Sequence, residues 1–287
     1  MSKVRKLSVL IAVSLLALFL LFMPINQPLY NLLVFPCPDP RTPDISAELQ
    51  NMRSFNLDAQ EVVFPSKNGN LLHGIFVKAP DTRRVFLFSH GKGNNIYTQL
   101  RKAQCFSACG ASVLMYDYQG FGKSQGRPSI EGACEDGLAA YDYLVTQLKY
   151  NPKDIVALGQ SFGTGVTGQL ALQRELAGVV MLSGFSSLKS AGRDTFKWLR
   201  LYPDFCFPKQ MLDNVAVFNK IHIPLLIVHG TADSVISWHE ATRLYEKASQ
   251  PKSILIMEGA GHSSFGKGNV FAVTLKQWTF PQLTDSN

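Results

Sequence analysis

The sequence predicts one α/β domain built on a mostly parallel sheet flanked by helices, with a short cap segment. Three observations carry this. Short apolar runs alternate with helical patterns along most of the chain, as a parallel sheet with crossover helices requires. Several runs end directly in glycine-containing loops that hold polar side chains, at Ser89-His90-Gly91, Asp117-Tyr118-Gln119-Gly120, Gly159-Gln160-Ser161-Phe162-Gly163 and His229-Gly230. In open α/β sheets reactive groups gather beyond the carboxyl ends of strands. Finally, 287 residues with 46% hydrophobic and 17% charged content suit one large folded core, not a disordered chain.

Taken in order, Lys3, Arg5 and Lys6 precede an uncharged run from Leu7 to Met23. As a helix the run is about 25 Å long, near the lower limit for crossing a bilayer. No small-x-small cleavage site follows in Phe22-Met23-Pro24-Ile25-Asn26, which favours an uncleaved signal-anchor over a cleaved signal peptide and secretion. The basic flank places the N-terminus in the cytoplasm and the rest of the chain on the other side. Residues 1–23 are therefore expected as an anchor. Residues 24–56, with Pro24, Pro28, Pro36, Pro38, Pro40 and Pro43, are expected as an extended linker, with Tyr30 to Phe35 along the membrane or against the domain. Residues 57–287 are expected as the domain.

Within it, strands are expected at Glu61–Phe64 and Leu71–Lys78, joined through Asn68-Gly69, a hairpin signal. Further strands are expected at Val85–Ser89, Val113–Tyr116, Ile155–Leu158, Val179–Leu182, Leu225–His229 and Ile254–Met257. Helices are expected over Tyr97–Cys109, Ile130–Leu148, the stretch from Phe162 to Leu176, Trp238–Ala248 and Val270–Trp278. The segment between the strands ending near Ser183 and starting at Leu225 is about 40 residues, the place for a small cap.

The chemistry centres on Ser161. Gly-x-Ser-x-Gly between a strand and a helix is a nucleophile elbow, whose glycines permit a turn sharp enough to hold the hydroxyl above the sheet. A serine needs a base, and the base needs a carboxylate to fix its tautomer. Here the chain order should be serine, acid, histidine. Asp233 lies four residues past the strand end at His229. His239 and His262 follow it, and only His262 lies in a glycine-bearing loop just after a strand, Met257-Glu258-Gly259-Ala260-Gly261-His262. His239 reads as surface, and His73 and His222 as structural. Asp117 precedes the serine and is expected to fix its own loop through hydrogen bonds to backbone. The oxyanion donors are expected to be the backbone N–H groups of Lys92 and Phe162.

Other chemistries find little support. The net charge of +7 is spread out and carries no basic block with interleaved aromatics, which argues against nucleic acid. Five irregularly placed cysteines make no disulfide framework, and no Cys-x-x-Cys or His-Glu-x-x-His spacing suggests a metal. No cofactor is expected. Gly122-Lys123-Ser124 imitates the tail of a phosphate-binding loop, but that loop needs glycine where Asp117 stands.

Together the motifs Ser89-His90-Gly91 with Gly93-Asn94, Asp117-Tyr118-x-Gly120-Phe121-Gly122-x-Ser124, Gly159-Gln160-Ser161-x-Gly163, His229-Gly230-x-x-Asp233 and Gly261-His262 resemble the α/β-hydrolase superfamily, from about Glu61 to Trp278. More narrowly they resemble a membrane-anchored branch of bacterial hydrolases and animal hydrolase-domain proteins with acyl-thioesterase or acylglycerol lipase activity. The resemblance implies the α/β-hydrolase fold and a Ser161–His262–Asp233 triad. Two positions depart from the pattern: Lys92 adds a cation beside the oxyanion site, and Gln119 stands where the family has arginine. The cap carries Phe196, Trp198, Tyr202 and Phe205, candidate substrate-binding residues, interleaved with Lys189, Arg193, Lys197 and Arg200. That pattern suits either a lipid interface or a short helix covering the core. The expected reaction is cleavage of an acyl ester or thioester, with a lipid or other acylated substrate. The alternatives are a peptidase on the same machinery, with Glu131, Glu135 and Asp136 as an amine-binding cluster, and a non-catalytic scaffold. The intact triad and both glycine-rich loops argue against a scaffold.

Overall fold

A computed structural model describes residues 3–21, 31–32, 34–35, 44–54, 57–208, 212–264 and 269–279. In chain order the helices and strands are α1 (Lys3–Leu21), α2 (Ser46–Ser54), β1 (Asp58–Pro65), β2 (Leu71–Lys78), β3 (Val85–Ser89), α3 (Leu100–Ser107), β4 (Ser112–Tyr116) and α4 (Ile130–Thr146). They continue with β5 (Ile155–Gln160), α5 (Phe162–Ala171), β6 (Gly178–Leu182), α6 (Leu188–Thr195), α7 (Asn214–Phe218), β7 (Leu225–Gly230), α8 (His239–Lys247), β8 (Lys252–Met257) and α9 (Val270–Thr279).

The described strands form one sheet in the order β1-β2-β4-β3-β5-β6-β7-β8. β1, β2 and β4 pair antiparallel, and the pairs from β4 to β8 are parallel. The continuous apolar runs read from the sequence arise because both faces of the parallel part are covered. Side chains alternate between them. Val85, Leu87, Ile155, Ala157 and Ile227 face a core under α4, α5, α7 and α8. Phe86, Phe88, Val156, Leu158 and Val228 face a second core under α2, α3 and α9. Each expected strand is present. The helix expected over Tyr97–Cys109 is divided into a 3₁₀ turn, Ile96–Thr98, capped by Asn95, and α3. The helix after the elbow ends at Ala171, earlier than expected.

Part of the stretch before β1 packs on the domain, which for Val34 and Phe35 is one of the two expectations. Its six prolines and Cys37 lie outside the described residues, but Val34, Phe35, Ile45 and Met52 are buried. Met52 on α2 joins the core under α3 and α9, and Val34 and Phe35 join the opposite one. α1 carries most of the uncharged run. Among the described residues no helix is long and apolar enough to cross a membrane, so the anchor rests on the sequence alone. Cys105, Cys109, Cys134 and Cys206 are free thiols, and burial pushes the Cys109 thiol up to about 12.

Asp136, grouped in the sequence with Glu131 and Glu135 as a candidate amine-binding cluster, is fully buried. It accepts hydrogen bonds from Ser66 Oγ (2.6 Å), the Gln119 amide (2.8 Å) and Gln119 Nε2 (2.8 Å). Burial raises its pKa against the opposing pull of these donors. Gln119 Oε1 in turn accepts from Asn68 and Asn70 of the β1–β2 turn. Asp136 is thus the partner to which a residue at position 119 is directed. Asp136→Ala should cost about 2–4 kcal/mol by leaving three buried donors unmatched. Glu135→Ala, which removes only a surface pair with Lys67, should cost under about 0.5 kcal/mol. Urea denaturation of both variants measures the contrast.

Candidate active site

β5 delivers Ser161 in a strained conformation, φ 53° and ψ −118°, in the positive-φ region that non-glycine residues avoid. The glycines on either side make this possible. A β-carbon on Gly159 would stand 2.5 Å from the Gly163 carbonyl oxygen, and one on Gly163 would overlap the carbonyl of Ser89. The turn is held by the Ser161 amide donating to Leu182 O (2.9 Å) and by Thr164 Oγ1 donating to Ser161 O (2.7 Å).

The β7 and β8 loops bring the other two groups. His262 Nε2 lies 3.0 Å from Ser161 Oγ, and His262 Nδ1 lies 2.7 Å from Asp233 Oδ2. Asp233 Oδ1 accepts from the amides of Val235 (2.8 Å) and Ile236 (2.9 Å). The loops register against each other because Gly230 has no side chain, since a β-carbon there would overlap the Ala260 carbonyl. That carbonyl accepts from the Ala232 amide at 3.0 Å.

A second imidazole, missed in the sequence, shares the acid. His229 Nε2 is 3.1 Å from Asp233 Oδ2 and 3.0 Å from Ile236 O. Burial alone would raise the Asp233 pKa. Hydrogen bonds from His229, His262 and the Ile236 amide outweigh it and hold the carboxyl well below the usual carboxylate range. His229 closes the apolar strand run of β7, which disguised it as a strand-end residue. Lys102 and Gln160 were also missed. Lys102 Nζ, its pKa lowered by burial to about 8, donates to Gln160 Oε1 and to Gln99 Oε1 (2.8 Å). Gln160 Nε2 reaches the His262 carbonyl at 3.4 Å, so these side chains lie directly behind the histidine loop. Only the fold brings residues from α3 and β5 to that loop.

The loop after β3 is built from below. Tyr118 OH donates to His90 O (2.9 Å), and Ser89 Oγ and Tyr116 OH are 2.8 Å apart. Asp117, expected to fix its own loop, reaches the neighbouring one. Its Oδ1 accepts from the Ile96 amide (2.9 Å) and lies 3.4 Å from His90 Nε2. β3 and β4 are adjacent in the sheet, so the carboxylate at the end of one meets the loop leaving the other. Burial lowers His90 to about 4, leaving it neutral. Lys123 of the phosphate-loop look-alike pairs with Glu61 at 2.7 Å.

Ser161, Phe162 and Lys92 line one pocket, whose other walls are nearly all apolar. Of the four aromatic candidates only Phe196 reaches it. Trp198 and Tyr202 pack with Leu199, Cys206 and Phe207 in a cluster of their own, and Phe205 is 76% exposed. The cap is not one continuous helix but α6 followed by 3₁₀ turns at Lys197–Leu201 and Asp204–Cys206. Three of its four named cations pair within it. Lys189 and Arg193 contact Asp204 at 2.8 and 2.9 Å, and Arg200 contacts Asp194 at 2.8 Å.

Mouse α/β-hydrolase domain-containing protein 17C is 33% identical to the chain over 239 residues, covering 80% of it and 71% of the relative. The chain belongs to the α/β-hydrolase superfamily. Human α/β-hydrolase domain-containing protein 17B matches at 31% identity over 227 residues, 77% of this hydrolase and 75% of the relative. The family model described as serine aminopeptidase, S33, matches residues 80–215. Among solved structures, an esterase of Pyrococcus furiosus superposes with a TM-score of 0.66 at 18% identity, covering 86% of this hydrolase and 95% of that chain. An α/β-hydrolase from a Penicillium species gives 0.61 at 18% identity, covering 79% and 99%. Both share the fold.

The depressed Asp233 pKa sets the sign of a stability effect. Its unfolded value is about 3.9. The stabilisation it provides is complete above that pH and is lost as the pH falls towards the lower folded value. Asp233→Asn should therefore cost about 2 kcal/mol at neutral pH, a gap that narrows below about pH 4. Urea denaturation of both proteins across this range measures it.

Proposed function

We propose that this hydrolase is a serine esterase or thioesterase that acts through an acyl-enzyme on Ser161. The observation that carries the reading is the unbroken chain from Ser161 Oγ to His262 Nε2 (3.0 Å) and from His262 Nδ1 to Asp233 Oδ2 (2.7 Å), opening into an apolar pocket. His262 takes the Ser161 proton as Oγ attacks the acyl carbonyl, and Asp233 holds the imidazole in the tautomer whose Nε2 accepts it. The amides of Lys92 and Phe162 face the oxyanion, each such donor supplying about 3–4 kcal/mol. The tetrahedral adduct collapses as the alkoxide or thiolate leaves, with His262 returning the proton. Water, activated by His262, then releases the acid and restores the serine.

The walls favour an acyl chain. Val34, Phe185, Leu188, Phe196 and Ile236 surround the serine, and the described lining contains Lys92 as its charged side chain and no carboxylate. A peptidase, suggested by the name of the matching family model, would need a carboxylate there to hold a substrate amine. Glu131 and Glu135 line a different cleft, on α4, and Asp136 is buried beneath it. The uncharged run Leu7–Met23 after three basic residues supports a tether to a membrane, with the domain on the non-cytoplasmic side.

A fluorophosphonate probe should label the wild type and not Ser161→Ala, and the variant's kcat should fall by about 10⁴-fold or more. Acyl nitrophenyl esters should turn over far faster than aminoacyl nitroanilides. The opposite preference would favour the peptidase.

A further inference from the structure

Residues 31–35 precede the first strand, yet two of them sit at the reacting serine. Val34 is 6% exposed and lines the Ser161 pocket. Phe35 is equally buried, with its ring edge-on to Phe162 at 4.9 Å between centroids and to Phe121 at 5.8 Å. Phe162 carries one of the two oxyanion amides. Phe121 meets the ring of His90 at 5.2 Å, and His90 begins the loop that carries the other amide, at Lys92. One ring therefore touches the supports of both donors. Edge-to-face aromatic contacts of this kind fix orientation as well as burying area.

The segment is fastened at both ends of a turn. The Phe35 amide donates to Asn31 O at 2.7 Å, and Asn31 Oδ1 accepts from the Ile130 amide (3.4 Å) at the start of α4. That amide is one of those a helix start cannot satisfy internally. The N-terminal region also meets the opposite wall. Leu199 of the cap lines the pocket, and Tyr202, one turn on, stacks on Phe19 of α1 at 4.5 Å and donates to its carbonyl at 3.1 Å.

Resting on the serine-hydrolase reading of Ser161, we propose that Val34 and Phe35 are working parts of the site. Phe35 is a positioning residue for the oxyanion donors, and Val34 sets how far an apolar acyl chain can extend into the pocket. The substrate class is then an acyl group whose chain lies between Val34 and the cap.

The test uses full-length variants and nitrophenyl esters from acetyl to palmitoyl. Val34→Trp should lower the palmitoyl-to-acetyl ratio of kcat/KM by about tenfold or more, since a few methylenes of lost pocket discriminate on that scale. Phe35→Ala should lower kcat about tenfold or more for every ester with KM little changed, as loss of a transition-state interaction does. Phe35→Leu should recover part of it. Cooperative thermal melts certify folding. If Val34→Trp gives none, Val34→Ala takes its place and the ratio should rise. A folded position-34 variant with an unchanged chain-length profile, or a folded Phe35→Ala with wild-type kcat, overturns the proposal. Wild type that no fluorophosphonate labels refutes the serine reading beneath it instead.

Discussion

At Gly163 the first turn of α5 passes so close to the end of β3 that a hydrogen is all that fits between Cα and the Ser89 carbonyl. The approach sets the geometry of the site. It brings the N-terminus of α5, with the Phe162 amide, beside the loop that carries Lys92, next to the positive φ of Ser161. A glycine has no β-carbon to clash, so the strain is borne by one residue, the serine, and offset by the cores on either side of the sheet. Gly230 repeats the device at the other end, where the Asp233 loop meets the backbone of the His262 loop. Two missing β-carbons thus register four loops.

Around that frame the electrostatics are arranged in depth. Asp233 answers to two imidazoles and two amides, so its charge is fixed before any substrate arrives. Buried neutral His90 and the carboxylate of Asp117 stiffen the Lys92 loop from beneath. Lys102 and Gln160 back the histidine loop. The pocket in front is apolar, with Lys92 as its charged wall. Preorganised polarity behind the serine and apolar walls before it suit chemistry on the carbonyl of a greasy chain.

Much of this was legible in the sequence because parallel strands buried on both faces write continuous apolar runs, and because loops at strand ends need glycine. Those signals located each strand and placed Ser161, Asp233 and His262, which the fold brings together. What failed depended on contacts between distant segments. Nothing local distinguishes Asp136 from Glu135 on one helix, since its burial depends on Gln119 and Ser66 arriving from elsewhere. Val34 and Phe35 sit among prolines, so the sequence left open whether they lie along a membrane or on the domain. In the cap, aromatic spacing could not show that 3₁₀ turns would send Trp198 and Tyr202 into their own cluster and leave Phe205 in solvent.

The central claim is that a serine at this elbow carries the acyl group. Rapid mixing of the enzyme with a long-chain nitrophenyl ester, quenched in acid within the first turnover, tests it most directly by mass spectrometry of the peptide containing Ser161. The account predicts one acyl group per chain, attached to Ser161, together with a burst of nitrophenol equal to the enzyme. Turnover of the ester with no burst and no acylated Ser161 would contradict it.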